Sequence, residues 1–170
     1  MIGMVWAQTP GGVIAADGEL PWDVPEDLQH FREIVSGRPV IVGRPTWESM
    51  PPAWRRKRAA RSVVLTRSAD WRPEADEDAE RASSMADALA LLAEEEATGD
   101  VWIMGGGEVY VLGAEVADLL VISEIDVPEP DGELTLGPDV TTGWVEEGSE
   151  SGWRWSSTGT RWRVRRLRRR

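Results

Sequence analysis

The sequence has 170 residues, no cysteine, one histidine and a formal net charge of -11. Its length suits a single domain, large enough to bury a core without covalent cross-links. The composition excludes disulfides and cysteine-based zinc sites. Because His30 stands alone, it also argues against a histidine-built metal site, so we expect no metal.

The chain carries no sequence signal for membrane insertion or export. It lacks any run of roughly 18 apolar residues, which a spanning helix needs, and its first residues have no basic segment typical of a signal peptide. We therefore expect a cytoplasmic protein without a membrane partner. All 30 acidic residues lie at or before Glu150. This acidic body argues against a nucleic-acid partner.

The first 66 residues alternate apolar runs with helical patterns. The predicted elements are, in order, a strand at 2–7, a mobile loop at 9–20, a helix at 25–35, a strand at 39–43, the start of a helix at 46–50 and a strand at 62–66. Pro25 suits a first helical turn because its φ is fixed and it has no N–H to satisfy. Ser36-Gly37 ends that helix, and Pro51-Pro52 breaks the next one.

The middle of the chain continues the alternation. The acidic segment 70–80 is loop-like, and any strand in it is too weak to predict. Residues 85–97 predict a helix with Leu89, Leu92 and Ala93 inside and residues 94–96 exposed. After it we predict a strand at 101–104, a glycine turn, a helix at 108–112 and a strand at 119–125.

This order of elements predicts an α/β fold with three layers. A central, mostly parallel sheet of about eight strands would lie between flanking helices. Apolar residues alternate with arginines on both sides of a turn at 157–159, which predicts a C-terminal antiparallel hairpin at the sheet edge. No repeat or linker interrupts the sequence, so we expect one domain over residues 1–170.

Asp27 is the most unusual residue of the predicted helices. Residues three, four and seven apart share a helix face, so Asp27 lies in line with Val24, Phe31 and Ile34. A carboxylate on an apolar stripe is unfavourable unless it has a partner. Asp27 either interacts with the helix N-terminus, as first-turn acids commonly do, or it waits for a ligand that donates hydrogen bonds.

Three predicted strand ends carry residues suited to phosphate groups. They are Gly43-Arg44-Pro45-Thr46, Leu65-Thr66-Arg67-Ser68 and the segment from Met104 to Tyr110 with its three glycines. In open α/β sheets, ligands bind in a crevice at the carboxyl ends of the strands, and helix N-termini there hold anions. Taken singly, each could be an ordinary turn or a solvated arginine.

Taken together, these residues resemble bacterial dihydrofolate reductase of an actinobacterial type. The matching pieces are Val5-Trp6-Ala7-Gln8, Gly12-Val13-Ile14, Leu20-Pro21-Trp22, Pro25-Glu26-Asp27, His30-Phe31-Arg32, Val40-Ile41-Val42-Gly43-Arg44 and Thr46-Trp47-Glu48-Ser49. The match is dense over residues 2–50, good over 62–67 and 101–126, and loose elsewhere. Its regular spacing makes it far more specific than any single motif.

The resemblance implies hydride transfer from NADPH to 7,8-dihydrofolate, giving tetrahydrofolate, in a monomer that antifolate inhibitors also bind. Asp27 would accept hydrogen bonds from the pterin 2-amino group and N3 and help N5 acquire a proton through water. Apolar surroundings should raise the pKa of Asp27. Trp22 would hold an ordered water, and Ser123 would support the carboxylate.

The resemblance also assigns the walls of both binding sites. A loop including Gly18 and Leu20 would close over the reacting rings, Tyr110 would lie near the nicotinamide, and a cis bond would join Gly105 to Gly106. The substrate would contact Val5, Trp6, Ala7, Leu28, Phe31, Arg32, Ser49, Met50 and Met104. The cofactor would contact Ala7, Ile14, Gly18, Gly43, Arg44, Pro45, Thr46, Leu65, Thr66, Arg67, Met104, Gly105, Gly106, Gly107, Glu108, Val109 and Tyr110.

One segment departs from the family pattern. Relatives carry a Pro-Gly-Arg before the third strand, whose arginine binds the folate α-carboxylate, but Ala59-Ala60 stands where Gly-Arg is expected. Arg58 or Arg61 could replace it, and Arg32 could help. The departure keeps two alternatives open. One is a reductase of the same fold acting on another pterin or on a pyrimidine intermediate of riboflavin synthesis. The other is a non-catalytic nucleotide- or antifolate-binding homologue.

Overall fold

A computed structural model describes residues 1–56, 60–148 and 152–170 of the chain. The strands of this described part are β1 (Ile2–Gln8), β2 (Val13–Ala16), β3 (Val40–Gly43), β4 (Ser62–Leu65), β5 (Glu80–Ala82), β6 (Val101–Ile103), β7 (Leu119–Asp126), β8 (Leu134–Leu136), β9 (Trp144–Glu146), β10 (Arg154–Trp155) and β11 (Arg161–Arg169). The helices are α1 (Pro25–Val35), α2 (Arg44–Ser49), α3 (Pro52–Arg55), α4 (Met85–Leu91), α5 (Ala93–Thr98) and α6 (Gly107–Val116).

The main sheet is mixed, with a parallel centre. Among the described strands its order is β10-β11-β7-β1-β6-β3-β4-β5, and β9 also pairs with β11. The pairings from β7 through β5 are parallel, whereas β11 is antiparallel to each of its three neighbours. The α/β fold with a mostly parallel sheet and a C-terminal antiparallel hairpin is therefore confirmed.

Each face of the sheet carries its own core, because successive side chains of a strand point to opposite faces. On one face, Met4 and Trp6 of β1 pack with buried residues of α4 and α6. On the other face, Val5 packs with Val35 of α1 and Trp47 of α2. Helices thus cover both faces, and the predicted three layers are confirmed.

Two predicted loops contain strands. The prediction of a loop over residues 9–20 was wrong in part, because β2 lies inside it and pairs antiparallel with β8 in a separate two-stranded sheet. In the acidic segment, β5 adds to the sheet edge parallel to β4. These strands are short, and β2 depends on a partner more than 100 residues away along the chain, so periodicity alone could not identify it.

The helix predicted over residues 85–97 is two helices. Fully buried Leu92 lies between α4 and α5 with φ -105° and ψ 16°, outside the helical region. Met85 and Ala88 are buried, whereas Ala93, predicted on the inner stripe, is exposed. The change of direction at Leu92 explains why the stripe does not continue. Within the described residues, no helix is long and apolar enough to cross a membrane.

Candidate functional site

The residues predicted to bind ligands lie along one edge of the sheet. The parallel strands β1, β3, β4 and β6 end there, at Gln8, Gly43, Leu65 and Ile103. The register pairs Gly43 with Leu65, and Ala7 with Ser123 of β7. Arg44, Thr66 and Met104 therefore follow neighbouring strand ends, where α/β sheets form their ligand crevice.

Asp27 lies at this edge, in the first turn of α1. Its carboxyl is largely buried and accepts a hydrogen bond from the Ser123 side chain, which is itself buried. Burial raises the pKa of Asp27 above its usual range, while the Ser123 hydrogen bond and the positive charge of Arg154 oppose that shift. The site therefore holds a carboxyl that takes up a proton more readily than an exposed aspartate.

Apolar side chains adjoin the carboxyl. Phe31, one turn further along α1, stacks on Trp54 of α3 with ring centroids 6.0 Å apart. Phe31, Met50 and Trp22 pack against the core on this face, and Leu28 is 44% exposed beside them. A small cavity on this face is lined by Val35, Val40, Trp47, Met50, Trp54, Ser62 and Met104. These surroundings suit a flat, largely apolar ring system whose polar edge meets Asp27.

The candidate arginines for a ligand carboxylate differ in position. The Arg32 guanidinium lies 5.0 Å from the centroid of the Trp54 ring, and its buried Nε has no hydrogen-bond partner among the described residues. Arg61 instead binds Glu80 at 2.6 Å and Glu95 at 2.7 Å. Because α5, which carries Glu95, continues from α4 on the sheet face opposite α1, Arg61 is not brought to the Asp27 pocket. Arg58 and Ala59 lie outside the described residues.

Tyr110 and Trp6 pack against each other behind the strand ends. The Tyr110 hydroxyl donates a hydrogen bond of 2.9 Å to the carbonyl of Val5, and its ring centroid lies 5.4 Å from that of Trp6. Burial raises the pKa of Tyr110, and the negative charge of Asp27 adds to this effect. Tyr110 therefore stays a neutral hydrogen-bond donor beside the site.

The N-termini of two helices meet next to Tyr110 and Trp6. Gly43 and Gly106 cap α2 and α6, and among the described residues no side chain caps either helix. Gly43 N donates to Gly105 O at 2.6 Å, and a Cβ on Gly106 would lie 2.8 Å from Thr46 Oγ1. The peptide bond Gly105-Gly106 is cis, as the resemblance predicted. Closely approaching backbones and uncapped N–H groups make an anion cradle that a side chain would fill.

Charged side chains flank the cradle. Arg44 Nε lies 2.8 Å from Glu48 Oε1, and Arg67, which is 90% exposed, lies 3.7 Å from Glu108. Thr66 Oγ1 accepts a hydrogen bond from Ser68 N. Two arginines at adjacent strand ends therefore lie next to the cradle, as the separate motifs predicted, although each has a carboxylate neighbour.

The loop before α1 contains Gly18 and Leu20, which the resemblance assigns to closure over the reacting rings. Leu20 is 61% exposed, and Gly18 has a positive φ of 78°. The loop is fastened at Asp17, whose Oδ1 accepts a hydrogen bond from Glu133 N at 2.9 Å. Among the remaining predicted contacts, Ile14 and Val109 are buried, Pro45 is exposed, and the exposed Ser49 donates to Thr46 O.

The sequence missed Trp54 and Arg154. Trp54 follows Pro51-Pro52, and a tryptophan in a short segment next to a predicted pocket was the available signal. Arg154 lies 127 positions after Asp27, and only the pairing of the C-terminal strands brings its charge to the carboxyl.

Comparison with known proteins gives one consistent family. The family model for dihydrofolate reductase matches residues 1–168. The chain is 37% identical over 166 residues to a dihydrofolate reductase from Mycobacterium tuberculosis, covering 96% of this chain and 95% of the relative. It is 34% identical to the Mycobacterium leprae enzyme over the same shares.

A solved structure gives the same fold. Dihydrofolate reductase from Enterococcus faecalis, complexed with NADP(H) and the ligand RAB-propyl, has a TM-score of 0.81 and 24% identity, covering 99% of this chain and 96% of that chain. At that identity the likeness concerns the fold. The mycobacterial relatives agree with the actinobacterial type that the motifs indicated.

Proposed function

Because this chain belongs to the dihydrofolate reductase family, we propose a division of the crevice between substrate and cofactor. The reaction is the reduction of 7,8-dihydrofolate with a hydride from NADPH. The pterin binds at Asp27 between α1 and the strand ends, and the cofactor binds along the glycine cradle. The observation that carries this proposal is the largely buried Asp27 carboxyl on the sheet face where Phe31, Met50 and Trp22 pack.

Asp27 anchors the pterin through its two carboxyl oxygens. Ser123 donates to this carboxyl, and the capacity that remains suits the 2-amino group and N3 of the pterin. Val5, Ala7, Leu28, Phe31 and Met50 provide apolar contact with the rings. A ligand that donates two hydrogen bonds compensates for placing a carboxylate in apolar surroundings.

Asp27 also assists proton transfer to N5. Because burial raises its pKa, the carboxyl holds a proton closer to neutral pH than an exposed aspartate does. The half-buried Trp22 holds the water that carries the proton to N5. Closure of the loop at Gly18 and Leu20 excludes other water.

The cofactor supplies the hydride. The uncapped N-terminus of α6 at Gly107 receives the pyrophosphate, and Arg44, Thr66 and Arg67 hold the 2′-phosphate. Tyr110 lies beside the nicotinamide, and its hydroxyl donates a hydrogen bond to Val5 O. The NADP(H) bound by the Enterococcus faecalis enzyme supports this assignment.

Arg32 is the proposed contact for the glutamate tail of the substrate. It is stacked on Trp54, and its buried Nε lacks a partner among the described residues. Arg61 would have to leave Glu80 and Glu95 to reach the tail. We also propose that the enzyme works as a monomer, which sedimentation velocity tests.

The test is NADPH oxidation with 7,8-dihydrofolate in native enzyme, Asp27→Asn and Glu33→Gln. Asparagine keeps the shape but cannot deliver the proton, so the rate should fall about 100-fold or more. Glu33 is an exposed acid on the same helix, and its variant should stay within about twofold of native, because a solvated charge there is screened. A native rate in Asp27→Asn would contradict the proposal.

A further inference from the structure

The C-terminal hairpin carries a charged residue, Arg154, on the same sheet face as Ser123, the residue that hydrogen-bonds to Asp27. In register, Arg154 of β10 stands opposite Trp162 of β11, and Trp162 stands opposite Ile125 of β7. Residues directly opposite in an antiparallel pair project from the same face, as do alternate residues of one strand. Arg154, Trp162, Ile125 and Ser123 therefore share the face that α1 covers.

The hairpin is fastened to the start of α1. Ser157 N donates to Glu26 Oε1 at 2.7 Å, and Thr158 Oγ1 donates to the carbonyl of Asp23 at 2.5 Å. Both contacts lie within the four residues that precede Asp27. The hairpin is therefore hydrogen-bonded to the first turn of α1 and to the segment just before it.

Arg154 is held in place by an aromatic ring instead of a carboxylate. Its guanidinium carbon lies 4.0 Å from the centroid of Trp162. Among the described residues Arg154 forms no ion pair, whereas its hairpin neighbours Arg161, Arg163 and Arg165 each bind a carboxylate. Its charge is not neutralised by an acid of the described chain and acts on the groups of α1.

We propose that Arg154 acts through Asp27 and sets the pH range over which the Asp27 carboxyl is protonated during turnover. The inference rests on the proposed role of Asp27 in catalysis. Burial favours the neutral acid, and the positive charge of Arg154 favours the carboxylate. The opposition keeps the carboxylate available to bind the pterin while leaving it able to receive a proton.

The other groups facing Asp27 do not supply this charge. Ser123 approaches from β7 as a hydrogen-bond donor, and Tyr110 of α6 stays neutral. His30, one turn further along α1, lies 6.4 Å from Trp162 between ring centroids. Burial lowers the pKa of His30, and Arg154 and Arg166 lower it further, against the effect of Glu33. On the alkaline side of the rate profile, His30 is therefore neutral.

The first experiment compares pH profiles of the hydride-transfer rate for native enzyme, Arg154→Gln, Arg154→Lys and Arg161→Gln. In Arg154→Gln the alkaline limb should move to higher pH, with rates there only about twofold higher relative to the maximum, because water screens the charge of an exposed arginine. Arg154→Lys keeps the charge and should return the native profile. Arg161→Gln removes a charge from the same hairpin that is paired with Asp126 and should leave the profile unchanged.

Salt gives a second comparison. Because Arg154 is exposed, added salt should move the native profile toward that of Arg154→Gln and leave the variant almost unchanged. An effect of hairpin displacement instead of charge would appear equally in Arg154→Lys and would persist in salt. That pattern would overturn the proposal.

A direct titration separates this inference from the proposed function. The Asp27 carboxyl is followed by ¹³C NMR in aspartate-labelled protein without ligands, and its signal is assigned by its loss in Asp27→Asn. A higher titration midpoint of Asp27 in Arg154→Gln than in native protein supports the inference. If the midpoint is higher but the protein does not turn over dihydrofolate, only the proposed function fails. Equal midpoints in the two proteins overturn it, whatever the rate profiles show.

Discussion

At the scale of single residues, the buried Asp27 carboxyl lowers the stability of the fold at neutral pH. Because burial raises its pKa, the folded protein retains a proton that the unfolded chain has already released. The stability that this group contributes is therefore present at acid pH and is lost as the pH rises through the folded pKa. At neutral pH the ionised carboxylate weakens the fold.

We expect Asp27→Asn to be more stable than native protein at pH 7, because asparagine keeps the shape without the buried charge. The melting temperature should rise by a few degrees, given that about 1 kcal/mol corresponds to about 2–4 °C in a chain of this size. Below pH 4 the gain should disappear, since native Asp27 is then protonated. Calorimetry at both pH values measures this, and an equal loss of stability at both would contradict it.

At Gly106 the space between the N-termini of α2 and α6 is too small for a side chain. A Cβ there would lie 2.8 Å from Thr46 Oγ1, so Gly106→Ala should push the N-termini of α2 and α6 apart. We expect NADPH to bind about tenfold more weakly, a change of about 1.4 kcal/mol, measured by quenching of tryptophan fluorescence. Gly99→Ala is the control, because a Cβ at Gly99 makes only an ordinary contact of 3.7 Å with Glu95 O. Unchanged binding in Gly106→Ala would show that the cradle does not hold the cofactor.

At the scale of elements, the turn between β1 and β2 is held by one distant carboxylate. Glu129, between β7 and β8, accepts hydrogen bonds from Thr9 Oγ1 and Gly11 N, both at 2.9 Å. Thr9 is fully buried, and its Oγ1 in turn accepts a hydrogen bond from Val13 N. Glu129 thereby ties the start of β2 to the main sheet.

We expect Glu129→Ala to destabilise the protein by about 2 kcal/mol, since it leaves the buried hydroxyl of Thr9 without its acceptor. Amide hydrogen exchange at Gly11 and Val13 should become faster. Glu133→Ala is the matched control on the same connection, because Glu133 binds Asp17 through its backbone. The prediction is wrong if amide hydrogen exchange at Gly11 and Val13 is equally fast in the two variants.

The sequence predicts those elements that owe their stability to their own residues, and it misses those that depend on distant partners. The buried strands β1, β3, β4, β6 and β7 are near-continuous apolar runs and were predicted, as was α1 with its proline start. The short strands β8 and β9 form because of distant partners and were not predicted. The same reason separates the site residues. Asp27 and the glycine turn belong to local motifs, whereas Trp54 and Arg154 reach the site only through tertiary packing.

At the scale of the whole molecule, charge is balanced across the C-terminal strand. Arg163 and Arg165 of β11 bind Glu124, which is 7% exposed, and Arg165 also binds Glu146 at 3.0 Å. Arg168 pairs with Glu147. The arginine-rich segment belongs to the hairpin at the sheet edge that the sequence predicted, and its side chains neutralise acids of neighbouring strands.

The pH dependence of stability should reflect hydrogen-bonded carboxylates across the whole molecule. Hydrogen bonds lower the pKa of Glu26, Glu48, Glu95 and Glu146 below their ordinary value of 4.5. Their contribution is present above the unfolded pKa and is lost as the pH falls through the folded one. Urea unfolding between pH 8 and pH 3 should therefore show a loss that begins near pH 4.5. Constant stability down to pH 3 would contradict this account.

The position of β11 also bears on how the protein is made. Residues 161–169 come last among the strands in chain order, yet they pair with β7 over eight positions and join β9 and β10 to the sheet. While a ribosome is still extending the chain toward them, β7 has an open edge, and the support behind Asp27 is incomplete. Such a topology delays folding until β11 has emerged. Nascent chains that stall before residue 161 should therefore be inactive and need chaperones to avoid aggregation.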